Sequence, residues 1–155
     1  MRWRRTAPLA LLCAVLACGS GPGPPEAQIR AVLEAAESAA EAKDVKALAR
    51  SISEAYSDPG GRDKRAVGGL LAFTFLRHES IHLLTRIDAL SFPEPGGAVA
   101  SVYAAMAGGP IPGAGALSGM RADLYRFDFV FAEEKPTRWM LVRADWRPAH
   151  ADDFF

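Results

Sequence analysis

The spacing of apolar residues along this chain changes once. Between Pro25 and Phe75 they recur every three or four positions, and from Ile81 onward they mostly alternate, which predicts helices first and strands afterwards. Ile29, Val32, Leu33, Ala36 and Ala40 mark one face of an amphipathic helix opened by Pro25-Glu26, with Glu34, Glu37 and Glu41 on other faces. The period slips at Lys43-Asp44, where Asp44 can cap a second helix carrying Val45, Leu48, Ala49, Ile52 and Tyr56. Ser57-Asp58-Pro59-Gly60-Gly61 reads as a turn, and Val67, Leu70, Leu71, Thr74 and Phe75 mark a third helix beyond it. Gly68 and Gly69 cost that helix about 1 kcal/mol each relative to alanine, which predicts close backbone contact at the pair.

After His78 the two-residue alternation takes over. Ile81, Leu83, Thr85 and Ile87 form one strand face, Pro93 to Gly97 turn the chain, and Ala98 to Ala107 run back as the second arm of a hairpin. Residues 108–118, rich in glycine and proline, read as a flexible loop. Asp123, Tyr125, Phe127, Phe129 and Phe131 then share one face of a long strand, Glu133 to Pro136 turn it, and a last strand runs from Arg138 to about Arg147. Three helices followed by a four-stranded meander predict an α+β domain, with the helices packed on one face of an antiparallel sheet. Trp139 and Trp146, seven residues apart, fall on opposite faces of an unbroken strand. The tail from Ala149, ending Asp152-Asp153-Phe154-Phe155, reads as frayed, with the aromatic pair able to plug an open cone.

The first 17 residues carry an address. A basic start with Arg2, Arg4 and Arg5 precedes an apolar stretch from Ala7 to Ala17, too short to span a bilayer before Gly19 and Pro22 interrupt it. Val15-Leu16-Ala17-Cys18 resembles a bacterial lipoprotein signal, which implies cleavage before Cys18, acylation of its thiol, and a membrane anchor at the end of a flexible tether over residues 18–25. Gly19 in place of aspartate implies, by the same resemblance, the outer membrane and a domain facing the periplasm. Loss of residues 1–17 removes three of 18 basic residues and none of the 18 acidic ones, leaving a mildly acidic chain of 138 residues. That balance argues against nucleic acid as partner. Cys13 leaves with the signal and Cys18 is acylated, so no thiol remains for a disulfide or a nucleophile.

The run Glu41 to Leu48, the segment Ile52 to Asp58 and the closing strand Arg138 to Trp146 resemble the nuclear-transport-factor-2-like superfamily, over most of residues 26–148. The resemblance implies a curved sheet wrapped around a long helix as a cone, whose outer face often forms homodimers. It does not choose a function, because that superfamily holds isomerases, dehydratases and non-catalytic binding domains.

Two catalytic patterns compete with a binding role. His78-Glu79-Ser80-Ile81-His82 satisfies HExxH, in which two imidazoles one helical turn apart hold zinc while the glutamate activates water. The alternation beginning at Ile81 places His82 on a strand instead, and the third-ligand candidates Glu94, Glu133, Glu134 and His150 fall in turns or the tail. Asp58 resembles the acidic loop of ketosteroid isomerases, with Tyr56 or Tyr125 to supply a hydroxyl, yet aspartate before Pro-Gly is also a common turn former. No metal or other cofactor is expected. The favoured reading is a lipid-anchored, non-catalytic module for an apolar small ligand or an envelope protein, with Tyr56, Tyr125 and Trp146 at the open end of the cone. An acid/base enzyme using Asp58 and Tyr56, or a zinc protease using His78, His82 and Glu79, is the alternative.

Overall fold

Residues 23–155 are described by the computed structural model, so the segment read as an export signal, Cys18 and most of the expected tether lie outside the described residues. Three helices, α1 (Pro25–Glu41), α2 (Val45–Arg50) and α3 (Lys64–Arg77), precede four strands, β1 (His82–Ser91), β2 (Gly97–Ala107), β3 (Asp123–Lys135) and β4 (Arg138–Pro148). The strands form one antiparallel sheet in the order β1-β2-β3-β4. Its concave face packs on the helices, giving the expected α+β cone.

Local chemistry explains most boundaries. Proline at the first position of α1 loses no hydrogen bond there, because that N–H has no intrahelical acceptor. Lys43 turns the chain with φ of 54°, and its Nζ donates to the carbonyls of His78 and Glu79 at 3.0 and 3.1 Å, fastening the end of α1 to the end of α3. Asp44 caps α2 by accepting from the Ala47 N–H at 2.9 Å, and Asp63 caps α3 through Ala66 at 2.8 Å.

The second helix is shorter than its periodicity predicts. It ends at Arg50, and the next residues run beside the edge strand β4: Leu141 donates to the Ser51 carbonyl at 2.8 Å, Ser53 to Leu141 at 2.9 Å, and Ser57 to Val142 at 3.1 Å. An edge strand exposes unpaired backbone groups, and satisfying them outweighs one more turn of helix. Ile52 and Tyr56 therefore reach the core from an irregular segment, with a turn between them in which the Tyr56 N–H donates to the Ser53 carbonyl at 3.2 Å.

A bulge decides the faces of β4. Phe129 pairs with Ala144 and Val130 with Arg143, but Phe131 pairs with Leu141, so Val142 is the extra residue. The extra residue reverses the alternation. Trp139 and Trp146 consequently share the concave face, contrary to the expectation for an unbroken strand. Trp139 is buried among Ile29, Ala98, Ala100 and Phe131, and its Nε1 donates to Gln28 at 3.0 Å.

The convex face is partly covered by the chain itself. The 108–118 loop is less loose than its composition suggests: a 3₁₀ turn, Ala114–Gly119, buries Leu117 against Ala105. The tail is not frayed either. A second turn, Ala151–Phe154, buries Phe154 with its ring 5.8 Å from Tyr103, so this aromatic packs on the outside of the sheet rather than plugging the cone. Arg86 donates to the Asp153 carbonyl, and beside it Arg126 links Asp128, Ser101 and Tyr103. The outer surface expected to serve a homodimer is thus occupied in part by these segments and their polar network.

The glycine pair of α3 contradicts its expectation too. A Cβ on Gly68 or Gly69 meets nothing within 4 Å, so neither residue permits a close approach among the described residues. Gly69→Ala should raise stability by about 0.5–1 kcal/mol by restricting the unfolded chain and improving helix propensity. Urea unfolding measures this, and a destabilised variant would mean that the exposed side of α3 is in contact with something.

Candidate functional site

The cone is hollow. A cavity of about 570 Å³ lies between the inner sides of α1 and α3 and the concave sheet face, within the size range of small-molecule pockets. Leu33, Leu71, Phe75, Phe127, Phe129 and Leu141 supply most of its apolar character. The aromatic row on β3 follows from strand alternation: Tyr125, Phe127 and Phe129 stand 6.0 and 5.3 Å apart between successive ring centres, the second pair stacked at 12°. Trp146 joins the row 6.4 Å from Phe127.

All three residues predicted to bind ligand, Tyr56, Tyr125 and Trp146, line this one cavity. Tyr56 is the most enclosed, at 2% exposure, and its hydroxyl is buried behind its ring with no acceptor among the described residues. Burial raises its pKa above the ordinary tyrosine value and the Asp58 charge adds to that, while Arg62, the Ala144 backbone N–H and Arg143 act the other way. The group stays a neutral hydroxyl enclosed by the protein, and it is the ring that walls the cavity. Trp146 is only half-buried, with the Arg62 guanidinium 4.7 Å above its ring.

Asp58 is buried behind the cavity wall and does not line it. Its carboxylate accepts from the Arg62 backbone N–H at 2.9 Å and from Arg62 Nε at 2.6 Å. Burial alone would raise its pKa, but these hydrogen bonds and the guanidinium charge overcome that and hold it below the usual carboxylate range. A carboxylate stabilised in this way is a weak base, and here it fixes the turn that leads into α3. Asp128 lies on the convex face, away from Tyr125. Burial raises its pKa as well, yet the Ser101 hydroxyl, Arg126 and Arg147 together bring it below the usual range.

The HExxH residues are separated by the end of α3. His78 already has extended backbone, φ −110° and ψ 130°, Glu79 is exposed in the bend, and His82 opens β1. The imidazoles therefore do not stand one turn apart on a helix, the arrangement that motif uses. Among the described residues, no group of three or more histidine, cysteine, aspartate or glutamate side chains gathers as a metal site.

Sequence reasoning missed one polar pair. Glu37 lines the cavity and accepts from the Thr85 hydroxyl at 2.6 Å. Its position was legible: Glu37 follows Leu33 by four residues and Ile29 by eight, which puts it on the apolar face of α1 rather than on another. Thr85, alternating with Leu83 and Ile87, points inward for the same kind of reason. Glu37 and Tyr125 are the polar groups through which the cavity can orient a guest.

No family model matches the chain, and no curated protein matches it. Solved structures do, at fold level. A candidate dehydratase of the nuclear-transport-factor-2-like family from Streptomyces avermitilis aligns at 18% identity over 80% of this chain and 95% of its own, with TM-score 0.61. A ketosteroid isomerase-like protein from Erwinia carotovora atroseptica aligns at 16% identity over 80% and 95%, with TM-score 0.56. A candidate calcium/calmodulin-dependent protein kinase type II association domain from Thiobacillus denitrificans aligns at 13% identity over 78% and 94%, with TM-score 0.61. The fold is the nuclear-transport-factor-2-like cone, and these similar structures span catalytic and assembly roles.

Two outcomes follow from the site. Tyr56→Phe removes an unpartnered buried hydroxyl and should leave stability unchanged or raise it by about 1 kcal/mol, as read by chemical denaturation; a clear loss would show that the hydroxyl has a partner. The folded pKa values of Asp58 and Asp128 lie below the unfolded value of about 3.9. Their contribution is complete above that value and is lost as pH falls below it toward the folded pKa values. Acid unfolding followed by circular dichroism should show this fall below about pH 4, and Asp58→Asn should make it shallower.

Proposed function

We propose that this chain is a lipid-anchored binding module of the bacterial envelope, holding an apolar small molecule in its cone without transforming it. The observation that carries the reading is the 570 Å³ apolar cavity walled by the rings of Tyr56, Phe127, Phe129 and Trp146, while the nearby buried carboxylate of Asp58 is occupied by Arg62. A guest with an apolar body matches that lining. The run Val15-Leu16-Ala17-Cys18 supports the anchor, and Cys18 would face the outer-membrane lipid from the end of its tether.

One observation favours an acid/base enzyme as the second reading, namely the Glu37 carboxylate on the cavity wall. That reading requires Glu37→Gln to abolish turnover of a guest while its affinity survives.

The binding reading is tested with phenylnaphthylamine, an apolar fluorophore that brightens on leaving water. Ala104→Phe places a ring in the cavity from β2 and should weaken the probe by about tenfold or more, with the unfolding midpoint measured in parallel. Equal affinity for both proteins, or no saturable binding by the parent chain, would sink the proposal. The anchor has its own test: under a high-salt wash Cys18→Ala should move from the membrane fraction to the soluble one while its circular dichroism is retained, and a variant that stays in the washed membrane fraction counts against acylation.

A further inference from the structure

The outer side of α3 has no partner among the described residues. Phe73 and Leu76 are 58% and 85% exposed, and with Ala66 and Gly69 they repeat every three or four positions as one stripe, which Leu70, 38% exposed, joins to the cavity wall. The opposite side, Val67, Leu71 and Phe75, faces the cone, so this helix is apolar nearly all round. Such a helix belongs in a protein core or at a lipid boundary. With 14 residues it is about 21 Å long, and no described helix is long and apolar enough to cross a bilayer.

Its charges favour a lipid surface. Lys64 and Arg65 begin the helix and Arg77 ends it, with Thr74 the one polar residue between Arg65 and Arg77 and no carboxylate between Asp63 and Glu79. In a chain that is otherwise mildly acidic, this element is purely basic. Lys64 pairs with Glu54, but Arg65 forms no ion pair among the described residues, and Arg77 lies over the Phe73 ring at 5.5 Å. Exposed apolar side chains bordered by arginines match the acyl and headgroup layers of an anionic leaflet. Gly68 and Gly69, which meet nothing within the fold, leave the middle of the stripe flat.

We propose that the outer side of α3 docks on the surface of an anionic phospholipid bilayer, lying in the plane of the headgroups with Phe73 and Leu76 inserted. The proposal builds on the anchor and binding readings above. The seven chain steps from Cys18 to Pro25 reach at most about 25 Å, close enough for a tethered domain to lay this helix on the membrane that holds it. Since the inner side of α3 walls the cavity, docking brings that wall to the lipid from which an apolar guest would enter.

The test places a reporter on the stripe of the full chain. Leu76→Trp, at a position 85% exposed, adds a tryptophan without disturbing the core. With vesicles of one part anionic to three parts zwitterionic phospholipid, its emission should shift to the blue and be quenched by lipids brominated on their acyl chains. Arg65→Glu with Arg77→Glu should weaken docking by about tenfold or more, and high salt should act in the same direction. The reporter reads contact at α3, and is therefore also measured in the Cys18→Ala chain, where quenching persists if docking is intrinsic to the helix. Absence of quenching in the chain that retains Cys18 overturns the proposal. So does a concentration-dependent dimer that Leu76→Glu dissociates, because the stripe would then be covered by a second copy. Failure of the anchor reading shows separately, in fractionation of Cys18→Ala after a high-salt wash, which releases a helix held by headgroup charge but not an acylated chain.

Discussion

The pairing of Ser51 to Ser57 with the edge of β4 is the interaction on which the rest of the site depends. It ends α2 after six residues, satisfies backbone groups that an edge strand leaves open, and carries Ile52 and Tyr56 into the core. It also delivers Asp58 to the place where Arg62 can close the turn, and from that turn Asp63 caps α3. Had α2 continued, no element would place the Tyr56 ring in the cavity wall at that point. One stretch of edge pairing thus positions an aromatic wall of the pocket and the helix that covers it.

The pocket exists because large side chains close only part of the space between the concave sheet face and the helices. Near the β3–β4 turn the core is filled by Trp139, Phe131 and Ile29 around small residues, Ala98 and Ala100. Farther along the same faces, Phe127, Tyr125 and Trp146 stand around open space instead. A hollow apolar interior forfeits packing energy that a filled one would gain. A guest molecule would supply those contacts, which is the energetic sense of reading the cavity as a binding site.

The two outer surfaces contrast in the same terms. The convex sheet face is closed by the chain's own 3₁₀ turns and by a polar network in which Arg86 and Arg126 stand over the Tyr103 ring at 5.0 and 5.4 Å. Among the described residues the outer side of α3 has no such cover, and it carries basic residues at its ends. An apolar surface of this kind in a stable fold marks contact with something outside it.

The period change after His78 was enough to predict three helices, four strands and the α+β class, because side-chain direction in a regular element depends only on local geometry. The same local rule made the inward row Tyr125, Phe127 and Phe129 legible, and read correctly it also turns Glu37 inward. It could not reach features set by distant neighbours. The end of α2 depends on an edge strand some ninety residues later in the chain, and the shared face of Trp139 and Trp146 depends on one unpaired residue, Val142, that no alternation reveals. The tail and the glycine-rich loop have compositions suited to disorder, yet a sheet face with space for Leu117 and Phe154 orders them. Local periodicity therefore determined the elements and most of the residues facing inward. Only the tertiary structure decided which elements stop early, which faces a bulge reverses, and that the cone stays open, since each of these is settled by contacts between residues far apart in sequence.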